Sequence, residues 1–263
     1  MSGLLLRLAG PLQSWGERSV FTPVRDTAPF PTRSALIGMF AAAEGIGRDE
    51  ADPDHYRDLR LTVRVDRPGL RIVDYHTVGG GFPKDRTAAT SGGSNKGAAV
   101  ITRRHYLSDA VFVVAVTAAD ETLTRLADAL SRPHWAPYLG RRSCVPDEPF
   151  LLRRHVDDPE EELRARVPLS RTAPRGKDGN TQETGTITVE FLHEQPPGDA
   201  NEETAPADVI DVNDMPVSFA QHNRSHTGRR LHRTLLPVPG SLAGSPETLM
   251  QRLIDYVRLE ESA

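Results

Sequence analysis

Residues 3–133 alternate between two hydrophobic periods, and the order of these periods limits the possible folds. Short apolar runs at 3–10 ("GLLLRLAG") and 109–117 ("DAVFVVAVT") are typical of buried strands. The alternating stretch 59–66 ("LRLTVRVD") predicts a half-buried strand, and 70–78 is a further candidate strand. Residues 32–46 and 120–133 predict amphipathic helices capped by Thr32 and Asp120. The resulting order predicts an α+β fold, in which an antiparallel, ferredoxin-like sheet carries both helices on one face.

The second half of the chain has weaker patterns. Strands are predicted at 185–192, 207–214 and 229–238, and Ser245 with Pro246 predicts the start of a final helix. We therefore expect a domain at 1–148 with an inserted arm at about 78–104, a smaller β-rich region at 149–240 and a C-terminal helix at 241–263.

Composition excludes several classes of protein. With 263 residues, 38% hydrophobic and 26% charged, the chain is typical of a soluble globular protein. Its single cysteine excludes internal disulfides and CxxC sites. No apolar run is long enough for a membrane span, and the N-terminus lacks the pattern of an export signal, so we expect a cytoplasmic protein.

Charge is distributed unevenly, although the formal net charge is −4. Residues 79–107 and 215–246 are basic, whereas 157–162 and 194–214 are acidic. The glycine-rich arm at 79–99 is consistent with either a segment that binds a polyanion or an ordinary surface loop. The basic stretch around Arg224 and Arg229 equally fits phosphate contacts or a solvated strand. Its histidines lack nearby carboxylate or thiolate partners, so we predict no metal site there.

The stretch "YLGRRSC" (138–144) contains the lone thiol beside two arginines. One interpretation is a nucleophilic Cys144 whose thiol has a lowered pKa. The other is a tight turn at Gly140 that presents the guanidinium groups of Arg141 and Arg142 to a phosphate. The second is favoured because no Cys/His signature accompanies the thiol.

Known catalytic motifs are absent from the sequence. It contains no GxSxG elbow, Walker loop or HExxH helix. Four residues near the arm, Tyr75, His76, His105 and Tyr106, fit general acid and base roles in metal-free RNA cleavage, but also fit ordinary strand positions.

Five ordered stretches resemble one known family. They are "LLLRLAGPLQSWG", "RDTAPFPTRSALIGMFAAAEGIGRD", "DYHTV", "RHYLSDAVFVV" and "YLGRRSC". Together they are similar to the CasD family, the e-subtype of the fifth Cas protein family from type I-E CRISPR systems. The resemblance covers roughly residues 3–150 and is far more specific than any single motif.

This resemblance implies an RRM-like, ferredoxin-type core of the RAMP superfamily with a protruding thumb, at the place of the 79–99 arm. It implies a subunit of the Cascade complex that holds the 5′ handle of the guide RNA (crRNA), beside the backbone subunit and the large, PAM-reading subunit, with no cofactor. Charge and resemblance together give the candidate RNA-binding residues Gln13, Trp15, Arg25, Arg33, Ser34, Lys84, Arg86, Lys96, Arg103, Arg104, Arg141 and Arg142. Trp15 is expected to stack on a splayed base.

Two other functions remain open. The first is a metal-independent endoribonuclease that processes precursor crRNA, as C-subtype relatives of the family do. The second is an α+β interaction module whose basic segments contact an acidic protein.

Overall fold

The computed structural model describes residues 1–16, 23–79, 83, 86, 99–172, 185–196, 208–220 and 223–261. Its strands are β1 (Gly3–Ala9), β2 (Leu12–Gln13), β3 (Val24–Arg25), β4 (Arg60–Arg67), β5 (Leu70–Val78), β6 (Val100–Ser108), β7 (Val111–Thr117), β8 (Leu151–Val156), β9 (Thr186–His193), β10 (Asp208–Ser218) and β11 (Ser225–Pro239). Its α-helices are α1 (Arg33–Ala43), α2 (Asp120–Ser131), α3 (Pro159–Ala165) and α4 (Pro246–Glu261).

A seven-stranded sheet forms the centre of the fold. Its order is β10-β11-β9-β4-β7-β1-β8, and every neighbouring pair is antiparallel. Leu4, Leu6 and Leu8 of β1 pack with α1 and α2 on one face, whereas Leu5 packs with α3 and α4 on the other. The expected antiparallel sheet with two helices on one face is therefore present, and the opposite face is covered as well.

Strand β4 corrects the prediction of a half-buried strand. Its apolar positions face α1 as expected, but its other face is also buried. There Arg64 Nε lies 2.7 Å from Asp66 Oδ1, with both side chains fully buried. Arg64 also donates to the carbonyls of Val167 and Pro168, each at 3.0 Å. A charged strand residue can be buried when its partners are supplied by a loop that covers it.

A second, four-stranded sheet has the order β2-β6-β3, with β5 paired to the same central strand β6. Strands β5 and β6 form an antiparallel hairpin from Leu70 opposite Ser108 to Val78 opposite Val100. The predicted arm at 79–99 connects these strands and lies mostly outside the described residues.

Helix α1 begins differently from the prediction. Thr32 occupies the N-cap position, but its hydroxyl makes no capping hydrogen bond. Instead, the Arg33 backbone N–H donates to Asp214 Oδ2 at 2.7 Å. Asp214 and Glu194 also bind Arg229, so strands β9, β10 and β11 are tied to the start of α1. For α2, the N-cap is Ala119, and Asp120 is the first helical residue.

Strands from both sides of residue 148 share the large sheet, since β8 pairs with β1 and β9 pairs with β4. The division at 148 and the boundary at 240 stay predictions. Across the part of the chain that the structure describes, no helix is both long and apolar enough to cross a membrane.

Candidate nucleic-acid interface

The turn 139–144 packs tightly against the end of β2. Leu139 N–H donates to the Cys144 carbonyl at 2.7 Å, Cys144 N–H donates to the Arg141 carbonyl at 2.8 Å, and the Leu139 carbonyl accepts from Ser14 N–H at 3.1 Å. Gly140 has φ +81°, and a Cβ built on it would lie 1.8 Å from the Ser14 carbonyl oxygen. Glycine is therefore required here, both for conformation and for space.

Arg141 is held against an aromatic ring, and one of its guanidinium nitrogens lacks a hydrogen bond among the described residues. Its guanidinium carbon lies 4.5 Å from the centre of the Tyr106 ring, and Nη2 donates to the Arg25 carbonyl at 3.3 Å. Its Nη1 is buried and has no hydrogen-bond partner. A positioned, partly exposed cation is suited to an anionic oxygen, which supplies the opposite charge.

Two further predicted arginines lie beside Arg141. In the parallel pairing of β3 with β6, Arg25 is next to Arg104, and Arg104 shares a face of the strand with Tyr106. Arg104 Nε donates to Thr102 Oγ1 at 3.2 Å. Asp74 lies opposite Arg104 on β5 and lowers the net charge there. Arg25 and Arg141 are therefore the least neutralised members of this cluster.

Arg103 and Arg142 are exposed but oriented differently. Arg103 alternates with Arg104 and lies on the opposite face of the hairpin, opposite Tyr75. Among the described residues, neither forms an ion pair. We call Arg25, Arg104 and Arg141 the Arg141 cluster; Arg103 lies on the other face of the hairpin, and Arg142 follows Arg141 in the turn.

Four of the predicted RNA-binding residues are buried in this structure and have partners within the fold, so their RNA contacts stay predictions. Gln13 Nε2 donates to the carbonyls of Leu8 at 3.0 Å and Ala110 at 2.8 Å, and its Oε1 accepts from Trp15 Nε1 at 3.1 Å. Trp15 is 0% exposed, so its indole is not accessible in this structure, and its stacking on a base stays a prediction. Arg33 pairs with Glu194 at 2.8 Å, and Ser34 is buried in the first turn of α1. These motif residues stabilise the core.

The arm residues are not informative about the site. Lys84 and Lys96 lie outside the described residues, whereas Arg86 is described and exposed, and its N–H donates to the Pro83 carbonyl at 2.9 Å. Their RNA contacts stay predictions.

The thiol interpretation of "YLGRRSC" is disfavoured. Cys144 is 1% exposed within the main core. Burial raises the pKa of its thiol more than the nearby Arg141 lowers it. A buried, protonated thiol is a poor nucleophile.

The four acid and base candidates do not share one site. Tyr75 and His105 occupy one face of the β5–β6 hairpin, whereas His76 and Tyr106 occupy the other. Tyr106 is buried under Arg141, so its ring positions a cation. This role was missed because nothing in the sequence indicates that the 139–144 turn packs on β6.

The basic C-terminal segment is mostly neutralised within the fold. Arg229 binds Asp214 and Glu194, Arg233 Nε lies 3.0 Å from Glu190, and Arg230 Nε lies 3.8 Å from Asp211. The acidic segment 194–214 thus supplies partners for much of 215–246. Arg224 forms no ion pair within the described part of the chain.

Comparison with known proteins identifies the family of this chain. Residues 3–232 match the family model described as "CRISPR-associated protein (Cas_Cas5)". The chain belongs to this Cas5 family. It is 38% identical over 178 residues to the CRISPR system Cascade subunit CasD of Escherichia coli (strain K12), covering 62% of this chain and 75% of that protein.

Solved structures extend the comparison to almost the whole Cas5-family chain. A chain of a "CRISPR RNA-guided surveillance complex" is 46% identical, with a TM-score of 0.81, covering 97% of this chain and 99% of the other. A structure described as "Crystal structure of Cas protein" is 29% identical, with a TM-score of 0.57, covering 92% of this chain and 98% of the other. The mixed α/β architecture with its antiparallel sheet is therefore that of its relatives.

Proposed function

We propose that this chain is a non-catalytic, guide-RNA-binding subunit of a type I-E Cascade complex. In this role it holds the 5′ handle of crRNA and anchors the assembly, with the backbone subunit and the large PAM-reading subunit as its neighbours in the cytoplasm. The Cascade name of the E. coli relative and the surveillance complex that contains the similar structure support this assignment.

A single observation carries the RNA-binding part of the proposal. Arg141 is fixed over Tyr106, is only partly buried and forms no ion pair within the described residues. By contrast, Arg33, Arg64 and Arg229 are each paired with a carboxylate of the fold. An RNA phosphate at the Arg141 cluster would offset its local positive charge.

The core also supports a RAMP assignment. The four strands β4-β7-β1-β8 lie in that spatial order, with α1 after β1 and α2 after β7. This is the order of a ferredoxin-like, split βαβ unit. We propose that β9, β10 and β11 extend this unit and that the β5–β6 hairpin is the base of the thumb.

The proposal is tested with the purified chain and a labelled single-stranded RNA of the CRISPR repeat from the same genome, in EDTA. We expect binding that weakens steeply with salt, because phosphate contacts release counterions, and no cleavage. Arg141→Ala should weaken binding by about 1–3 kcal/mol and lower the salt slope by about one.

Arg230→Ala is the matched control, because it removes the same charge from an exposed arginine in the other sheet. Its affinity should equal that of the unaltered chain. Specific cleavage in EDTA would support the endoribonuclease instead. The proposal is refuted if no repeat RNA binds even with partner subunits present, or if Arg141→Ala and Arg230→Ala behave alike.

A further inference from the structure

The β5–β6 hairpin exposes aromatic and aliphatic side chains on one of its two faces. In its antiparallel register, Tyr75 lies opposite Arg103, and Val73 lies opposite His105. Directly opposite residues point to the same side of a sheet, with Cβ atoms about 4.5–5.5 Å apart. Ile101 shares this side because it lies two residues before Arg103 on β6. Tyr75 is 63% exposed, Val73 56% and Ile101 47%. We call this side of the hairpin the Tyr75 face.

A third strand widens the Tyr75 face. Strand β3 pairs with β6 in parallel and places Val24 beside Arg103, so one row of the sheet runs from Tyr75 through Arg103 to Val24. The row is held by backbone hydrogen bonds, since the Arg103 N–H donates to the Pro23 carbonyl at 2.8 Å. Val24 is also exposed. Arg103 is therefore flanked in the sheet by two exposed side chains, one aromatic and one aliphatic.

The Tyr75 face carries positive charge and no carboxylate from its hairpin. Arg71 and Arg103 are both exposed on it. Arg71 donates to the Thr27 carbonyl at 2.8 Å, and Arg103 forms no ion pair among the residues that the structure describes. The single acidic residue of β5 and β6 is Asp74, which lies opposite Arg104 on the other face. Guanidinium groups on a face without carboxylates favour an anionic ligand.

The Tyr75 side chain is suited to stacking. More than half of its surface is exposed, and it forms no side-chain hydrogen bond within the described part of the chain. Exposed aromatic rings on a basic sheet bind the unstacked bases of single-stranded RNA, because every base has a π-face. A purely apolar protein partner would use the aliphatic neighbours equally well, but it would leave the charge of Arg103 without a counterpart. The combination of ring and guanidinium therefore favours RNA.

We propose that the Tyr75 face is a nucleotide-binding subsite for single-stranded RNA, in which a base stacks on the Tyr75 ring and a neighbouring phosphate binds Arg103. This inference rests on the proposed RNA-binding function and extends it. Arg103 and Arg104 alternate along β6, so the Tyr75 face and the Arg141 cluster lie on opposite sides of the hairpin. They therefore contact different nucleotides, and the RNA strand contacts the hairpin on both sides.

Photochemical cross-linking tests the stacking contact directly. The full chain is mixed with single-stranded repeat RNA whose pyrimidines are replaced by their 5-iodo derivatives, irradiated and digested with trypsin. Cleavage after Arg71 and Lys84 releases residues 72–84, in which Tyr75 is the only tyrosine. We expect a nucleotide adduct on Tyr75, located by the fragment masses of this peptide. Adducts confined to other peptides would overturn the inference.

Binding measurements with the same RNA separate the ring from the charge. Tyr75→Phe keeps a stacking ring and should bind within about twofold of the unaltered chain. Tyr75→Leu keeps apolar surface without a π-system and should bind about tenfold more weakly. Arg103→Ala should weaken binding and lower the salt slope by about one. Leu70→Ala is the matched control, because it removes a 75% exposed side chain from the opposite face of β5, and its affinity should be unchanged.

The outcomes separate this subsite from the proposed function. If Arg141→Ala weakens RNA binding while Tyr75→Leu and Arg103→Ala do not, the subsite on the Tyr75 face is refuted and the proposed function stands. If Tyr75→Leu leaves RNA affinity unchanged but prevents association with a partner subunit, the Tyr75 face binds protein and the inference is wrong. If the unaltered chain binds no repeat RNA, alone or with partner subunits, both proposals fail together.

Discussion

At the residue scale, Gly140 is the position on which the Arg141 turn depends. It needs the left-handed conformation at φ +81°, and the Ser14 carbonyl oxygen occupies the place of any Cβ. Gly140→Ala should therefore lower the free energy of unfolding, measured in urea, by at least about 1–3 kcal/mol. It should also weaken repeat-RNA binding, because the turn that carries Arg141 must move.

Gly38→Ala provides a matched control for this substitution. Gly38 lies within α1, and a Cβ built there meets nothing within 4 Å. Alanine should therefore stabilise the protein by about 0.5–1 kcal/mol, the usual gain in a helix, and leave RNA binding unchanged. Equal stability of the two variants would contradict the tight packing of the 139–144 turn.

At the element scale, the buried carboxylate of Asp214 helps to join α1 to the C-terminal strands. Asp214 accepts from the Arg33 backbone N–H and binds Arg229, which also binds Glu194. Removal of one partner from a buried ion pair leaves an uncompensated charge. Asp214→Ala should therefore lower the free energy of unfolding by about 3–5 kcal/mol.

Asp211→Ala is the control, because Asp211 lies on the same strand and faces Arg230 across 3.8 Å in solvent. Its loss should cost less than about 1 kcal/mol. Urea unfolding of both variants measures the difference. Similar losses for Asp211→Ala and Asp214→Ala would show that the buried network does not hold the strands to α1.

Elements with a strong hydrophobic period were predictable, whereas those stabilised by distant partners were not. Strand β7 and helix α2 lie within a few residues of their predicted places. Strand β6, "VITRRHYLS", was missed because it belongs to the second sheet, whose strand pairing the local sequence does not reveal. Asp214 is 181 residues from the helix that it caps, and Trp15 and Trp135 differ only in tertiary burial. Local pattern therefore identified the arginine turn but not which neighbours complete the site.

At the scale of the whole molecule, the distribution of charge matters more than its sum. The net charge is −4, yet Glu190 of β9 and Asp211 and Asp214 of β10 are paired with arginines of β11. The Arg141 cluster lacks such partners in the described part of the chain, apart from Asp74 beside Arg104. An acidic protein can therefore present a local surface suited to RNA.

Acid stability provides a further prediction for the whole fold. Glu160 of α3 accepts from Thr62 Oγ1 of β4 at 2.7 Å, and its Oε1 lies 3.5 Å from His193 Nδ1 of β9. The hydrogen bond with His193, followed by that with Thr62, lowers the pKa of Glu160 below its ordinary 4.5, against the opposing effect of burial. Since its folded pKa is depressed, this carboxylate stabilises the fold above pH 4.5 and loses that contribution as the pH falls through the folded pKa.

Glu160→Gln should therefore be less stable than the unaltered chain near neutral pH, by less than about 1 kcal/mol because the carboxylate is half exposed. The difference should shrink as the pH falls below 4.5, where the carboxylate becomes protonated in both states of the unaltered chain. Glu161→Gln on the same helix is the control and should show no comparable pH dependence, since only its backbone N–H is bonded among the described contacts. Urea unfolding between neutral pH and pH 3 measures both variants, and a pH-independent deficit in Glu160→Gln would mean that lost packing, rather than the carboxylate charge, links α3 to the sheet.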